Sequence, residues 1–219
     1  MTPSIDDERP QSSESIRLLW VFAETTVATA VALYLALRLA TSLVWLVLGL
    51  CLILARRGSI SPYGLDLRIC PPSLRVHAIL GPALLFLYSA GHVAISILLR
   101  HQIFAFKFPE NPLADLAREL LIVAFPEEVF FRAYVQSRWD LAWGKPWDFF
   151  GAPVGPGLLA QAVLFAICHV ASGDWLRASV FFFALLAGWL RARSGSVLGG
   201  VVYHTVANFW VHTLSASFR

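Results

Sequence analysis

Apolar residues run in long blocks along this chain, separated by short clusters that carry Arg and Lys. Seven blocks are long enough, or nearly so, for a helix to cross a hydrocarbon core of about 30 Å. They cover residues 18–37, 40–55, 76–99, 113–139, 158–171, 175–190 and 197–214. The fifth is short for a full crossing and suits a tilted helix or one lengthened by its flanks. The pattern predicts an all-α, polytopic transmembrane helix bundle of about seven membrane segments, with six to eight as the allowed range. Two connections stand out. RRGSISPYGLDLRICPPSLR, between the second and third segments, is punctuated by Pro and Gly and reads as loop. GKPWDFFGAPVGPG, between the fourth and fifth, is rich in Gly, Pro and aromatics and belongs at the membrane interface. Tandem repeats are not apparent.

Composition agrees with the pattern. Of 219 residues 58% are hydrophobic and 14% charged, and the mean hydropathy is +0.66. Soluble domains lie near 45–50% apolar and about 25% charged, so the soluble class is excluded and no second large soluble domain fits. Residues 1–17 are polar and read as a disordered tail, without the basic start and short apolar core of a cleaved signal peptide. Residues 18–112 form an N-terminal set of helices and loops, 113–214 a C-terminal membrane core, and 215–219 a short tail. Cys51, Cys70 and Cys168 have no CxxC spacing, and the two in apolar runs, Cys51 and Cys168, read as small buried hydrophobes. The net charge of +3 follows from basic loops and calls for no nucleic acid. With the N-terminus cytoplasmic and all seven segments crossing, one face carries ten Arg and Lys side chains and the other six. That asymmetry favours the N-terminus inside and the C-terminus outside; the expected location is the bacterial plasma membrane, as a multi-pass protein.

Ionisable groups within apolar segments cost about 2.5–3.5 kcal/mol each on insertion scales, so each needs a reason. The fourth segment contains FPEEVFFRAYVQ. Glu128 and Arg132 stand four apart on one helical face, with the acid N-terminal to the base, the favourable order. Glu127 is rotated about 100° away and meets a different neighbour. Pro126 removes a backbone hydrogen bond here. A structural ion pair accounts for Glu128 and Arg132 but leaves the second carboxylate unexplained. His169, in LFAICHV, sits near one end of the fifth segment, where a hydrogen-bonded core histidine is the plainer reading. His204 and Asn208, in the seventh, project together and would also serve to bond neighbouring helices. Their co-occurrence on three helices points to acid–base or oxyanion chemistry. HExxH and GxSxG are absent, so neither a zincin nor a serine hydrolase is signalled. Two His and two Glu suffice in number for zinc, although adjacent Glu rarely point at one ion. The fourth to seventh segments hold no Asp in their apolar cores, which counts against an aspartyl site. A carboxylate that activates water with a histidine remains.

EEVFFR, FAICH and HTVAN resemble the EExxxR, FxxxH and HxxxN motifs of the CPBP family, in the expected order and on helices. That family comprises CAAX-processing and bacteriocin-processing (Abi) glutamic intramembrane endopeptidases. The resemblance covers roughly residues 113–214 and implies roles. Glu127 would be the general base, aided by His169. His204 and Asn208 would donate to the oxyanion, each contributing roughly 2.7–4 kcal/mol in comparable sites. Glu128 and Arg132 would hold the catalytic helix and tune the site. No cofactor is implied, although the family's historical label is metalloendopeptidase and zinc dependence is the competing expectation. The implied substrate is a membrane-anchored, prenylated or C-terminally tagged protein, cut near its C-terminus. The compact chain also resembles the myxosortase-like branch, which is thought to remove sorting helices from exported proteins. Two other classes compete: a non-catalytic, immunity-like protein of the same fold, and a proton-coupled transporter using Glu24, Glu127 and Glu128. Nothing in the sequence specifies an oligomeric state.

Overall fold

In a computed structural model of the protein, covering residues 11–56, 60–65 and 71–219, the apolar blocks fold into seven helices. α1 spans Gln11–Leu39. Its inward stripe is Val21, Thr25, Ala28, Thr29 and Ala32, spaced to recur on one face. Small residues there let neighbouring backbones approach, as is usual between membrane helices. Trp20, Phe22, Val27 and Val31 lie exposed on the remaining surface, as expected of side chains that meet lipid. The Thr25 hydroxyl donates to the Val21 carbonyl at 2.8 Å and accepts from Trp139 Nε1 at 3.0 Å. Ala40, with φ of 51°, turns the chain into α2, Leu43–Leu54. At 12 residues α2 is about 18 Å long, too short to cross alone. Trp45 packs its ring 4.9 Å from Phe130 and 5.0 Å from Phe131. A Cβ on Gly49 would come within 3.3 Å of the Phe130 backbone, so this glycine permits the close approach of α2 to α4.

α3 spans Pro71–Leu98 and bonds to the last helix through Tyr203 Oη to Gly81 O and Trp210 Nε1 to Ser89 Oγ. α4 runs over residues 112–143 without interruption, and its register changes along the way. Glu119–Ala124 and Val129–Gln136 are wound as π-helix, on either side of the α-helical Phe125–Glu128. Pro126 cannot donate to the carbonyl four residues before it, and local widening accommodates that loss without a break. Residues 126–137 are buried throughout, so α4 is the axis around which the other helices pack.

The Gly- and Pro-rich connection contains a small antiparallel hairpin, β1 (Trp147–Phe149) and β2 (Ala152–Val154). Phe150 and Gly151 take φ of 51° and 74° in its turn, and Asp148 Oδ1 accepts from Gly151 N. Trp189 Nε1 donates to Phe149 O at 2.7 Å and ties the hairpin to α6. α5 is Pro156–Ala171, α6 is Val180–Ser194 preceded by a 3₁₀ turn at Trp175–Ser179, and α7 is Leu198–Ala216. Backbone pairing of Ile103 and Ala105 with Arg219 and Ser217 fastens the end of α7 to the α3–α4 connection.

All seven predicted segments are therefore helices in an all-α bundle. By length and composition Glu14–Leu39, Ile79–Leu98 and Trp175–Ser194 are each sufficient to cross a membrane. The polar tail is shorter than its composition suggests. Residues 1–10 lie outside the described part, but 11–17 form the first turns of α1, where Arg17 donates to the carbonyls of Leu141 and Ala142. Cys168 is buried as expected; Cys51 faces outward from α2, and Cys70 lies outside the described residues.

Candidate active site

The buried middle of α4 carries the acidic pair. Glu128 and Arg132 lie one turn apart, both fully inaccessible, with Nη1 to Oε1 at 3.1 Å. The guanidinium lies 4.5 Å from the centre of the Phe165 ring on α5 and 5.6 Å from that of Phe183 on α6. Its N–H groups do not aim squarely at any acceptor among the described residues, so ion pairing and the ring faces hold the charge. Glu128 Oε1 also meets His204 Nδ1 of α7 at 3.0 Å. Gly200, one turn before His204, is where Glu128 reaches α7, and a Cβ there would lie 2.5 Å from Glu128 Oε2. Any larger residue would displace the carboxylate.

Glu127 points elsewhere, as helical geometry requires. Its Oε1 accepts from Ser42 Oγ at 3.2 Å, at the start of α2. Its Oε2 lies 3.8 Å from His204 Nε2 and has no hydrogen-bond partner among the described residues. One imidazole thus stands between the two carboxylates. His204 is the histidine beside Glu127. His169 instead points Nδ1 at the Phe165 carbonyl at 3.0 Å and packs on that ring at 4.3 Å. No hydrogen bond joins His169 to Glu127 among the described residues. Phe165 links the two, since its ring also meets His204 edge to face at 5.9 Å.

Asn208 lies one turn beyond His204, and its Nδ2 donates to Glu119 Oε2 at 3.1 Å. Glu119 escaped the sequence reading although an ionisable residue in an apolar stretch is itself the signal. Its carboxylate also meets Arg118 at 2.7 Å and His212 at 3.4 Å. It forms part of the wall of a cavity of about 340 Å³ at the end of the bundle, with Lys107, Phe108, Arg118, Phe209 and His212. Ser42 was equally unmarked, and no sequence signal ties a serine on α2 to an acid 85 positions later. Glu24 is held by Arg138 at 2.8 Å, by Arg56 and by the Tyr134 hydroxyl at 2.6 Å. None of these contacts connects it to Glu127 or Glu128.

The three motifs therefore converge on one buried polar cluster, with Glu127, Glu128, Arg132 and His204 in contact and His169 and Asn208 flanking it. Residues 109–210 match the family model of type II CAAX prenyl endopeptidase Rce1-like. Over this stretch the chain is similar to the CPBP family. The CPBP match begins just before α4 and ends two residues past Asn208, so it takes in every candidate side chain except Ser42. Helices α1 to α3 precede it. No curated protein and no solved structure is significantly similar to the chain. The CPBP family is one of membrane proteases, and the apolar helices agree with that setting.

Proposed function

We propose that the protein is a glutamic-type intramembrane endopeptidase in which Glu127 activates water. The observation that carries this reading is the division of labour around His204. Nδ1 is engaged by Glu128, which is itself paired with Arg132, so the imidazole is oriented with Nε2 toward Glu127. Two carboxylates with one guanidinium leave the cluster one positive charge short, and a second proton carried on His204 Nε2 makes it neutral. A water bound beside Glu127 loses a proton to the carboxylate while its oxygen bonds to the scissile carbonyl carbon. The oxyanion that forms is met by His204 Nε2–H and by Asn208. The C–N bond then breaks, and the proton on Glu127 passes to the departing amine. Ser42 holds Oε1 so that Oε2 faces the reacting water, and His169 closes the other side of that space.

The reaction is proposed to need no metal. Arg132 supplies the cationic charge beside Glu128. The substrate class is a membrane-anchored protein, prenylated or tagged near its C-terminus. The test is cleavage of a fluorogenic peptide ending in a farnesylated CAAX box by the purified protein. Cleavage is expected to survive exhaustive chelation and to be absent in Glu127→Ala. Activity lost to chelators and restored only by zinc would overturn the glutamic mechanism.

The site is proposed to open away from the cytoplasm. With all seven segments taken as crossings, Ser42, the C-terminal end of α5 with His169, and the residues lining the cavity fall toward the face with the smaller basic count, six against ten. This opening suits removal of C-terminal sorting segments from exported proteins, as in the myxosortase-like branch. Reporter fusions following residue 214 are expected to be active outside the cytoplasm, and fusions within 56–75 inside it. The reverse pattern would place the opening on the cytoplasmic side and remove the case for exported substrates.

A further inference from the structure

α7 carries a polar residue on three successive turns, His204, Asn208 and His212, and α4 supplies a carboxylate to each. The rungs at His204 are filled by Glu127 and Glu128. The rungs at Asn208 and His212 share Glu119, whose side chain is 2% exposed while those of Arg118 and His212 are 62% and 63% exposed. A buried carboxylate is costly unless bonded, and this one takes three partners at a point where an apolar residue would pack more cheaply. What it does for Asn208 follows from hydrogen-bond chemistry. The two ends of a carboxamide are nearly equal in size, and only the donor end can face an acceptor-only carboxylate. Glu119 therefore decides which way the amide points, and one of the two Nδ2 protons is left for another acceptor. Arg118, 2.7 Å away, offsets the carboxylate charge, so an anion near Asn208 is not opposed by a bare negative group.

We propose that Glu119 is a positioning residue that fixes the Asn208 amide with its second N–H toward the oxyanion. The inference rests on the oxyanion role given to Asn208 above. It is tested by measuring kcat and KM on the farnesylated CAAX peptide for wild type, Glu119→Met, Glu119→Gln, Asn208→Ala and the double variant Glu119→Met/Asn208→Ala. Glu119→Met keeps the buried volume and removes the acceptor. Its kcat is expected to fall roughly 10- to 100-fold, with KM within about twofold. Glu119→Gln retains an acceptor oxygen and should recover most of the rate, while the double variant should be no slower than Asn208→Ala alone.

Glu119→Gln as slow as Glu119→Met, or losses that multiply in the double variant, would overturn the proposal. A slow Asn208→Ala beside a fast Glu119→Met overturns the positioning role alone. Asn208→Ala at the wild-type rate overturns the oxyanion role and this inference with it. Should wild type leave the peptide uncut, the substrate class fails on its own. The contact is then read from melting temperatures in detergent, where additive losses for Glu119→Met and Asn208→Ala overturn it.

Discussion

Glu127→Gln is expected to lower kcat by about 10²–10⁴-fold while leaving KM and the fold nearly unchanged. The substitution preserves shape. The new carboxamide would still offer an oxygen to Ser42 Oγ, so the one hydrogen bond that anchors the side chain survives. What disappears is the capacity of Oε2 to take a proton from water and return it to the leaving amine. The neighbouring acid provides the control. Glu128→Gln keeps an acceptor for His204 Nδ1 but removes the charge that balances Arg132, so its defect should show in melting temperature as well as in rate. Loss of rate without loss of stability at position 127, and loss of both at 128, is the signature of base and scaffold. If Glu127→Gln cleaves within about threefold of wild type in the same preparation, the base lies elsewhere and Glu127 is structural.

The two histidines sharpen this expectation. Because His204 touches both acids, its replacement should cost more than that of His169, which meets the cluster through the Phe165 ring. The family resemblance implies another arrangement, with His169 aiding Glu127 and His204 at the oxyanion. Motif spacing places a residue on a helix face but does not state which helix that face meets. The same limit hid Glu119 and Ser42, whose partners are 89 and 85 positions away. Within one helix the sequence was informative. The Glu128–Arg132 pair, the separation of Glu127 from it, and the helical nature of every apolar block all follow from periodicity and hydropathy. The π-wound stretches around Pro126 were not legible, because a widened turn uses the same apolar residues as an ordinary one. The hairpin at 147–154 lacks an Asn-Gly or Asp-Gly turn and places Phe150 at positive φ, so it carried no local signal. The early start of α1 depends on Arg17 reaching the carbonyls of α4, a contact outside its own segment.

Arg132→Met is expected to destabilise the folded protein by about 3–5 kcal/mol, the largest loss of any single substitution in the cluster. Neither partner of the Glu128–Arg132 pair has any access to solvent, and the pair sits at the axis of the bundle. Removing the guanidinium leaves the Glu128 carboxylate with His204 as its only nearby counter-charge among the described residues, and it strips the cation from between Phe165 and Phe183. Truncating one member of a buried pair costs more than the pair itself contributes, because the survivor keeps its desolvation penalty. The double variant Glu128→Gln/Arg132→Met should therefore be more stable than Arg132→Met alone, although it has lost one more native side chain. Gly200→Ala approaches the same point from the other side. Its Cβ would overlap Glu128 Oε2, so the carboxylate must swing from His204 and Arg132, and both rate and melting temperature should fall. Thermal unfolding in detergent micelles measures all three. A double variant less stable than Arg132→Met would mean that packing around residues 128 and 132, and not charge balance, holds α4 in place. In that case His204 would lose its electrostatic rationale for carrying a second proton toward Glu127. The two predictions are thus joined at one imidazole: the pair that stabilises the bundle is also what presents Nε2 to the base.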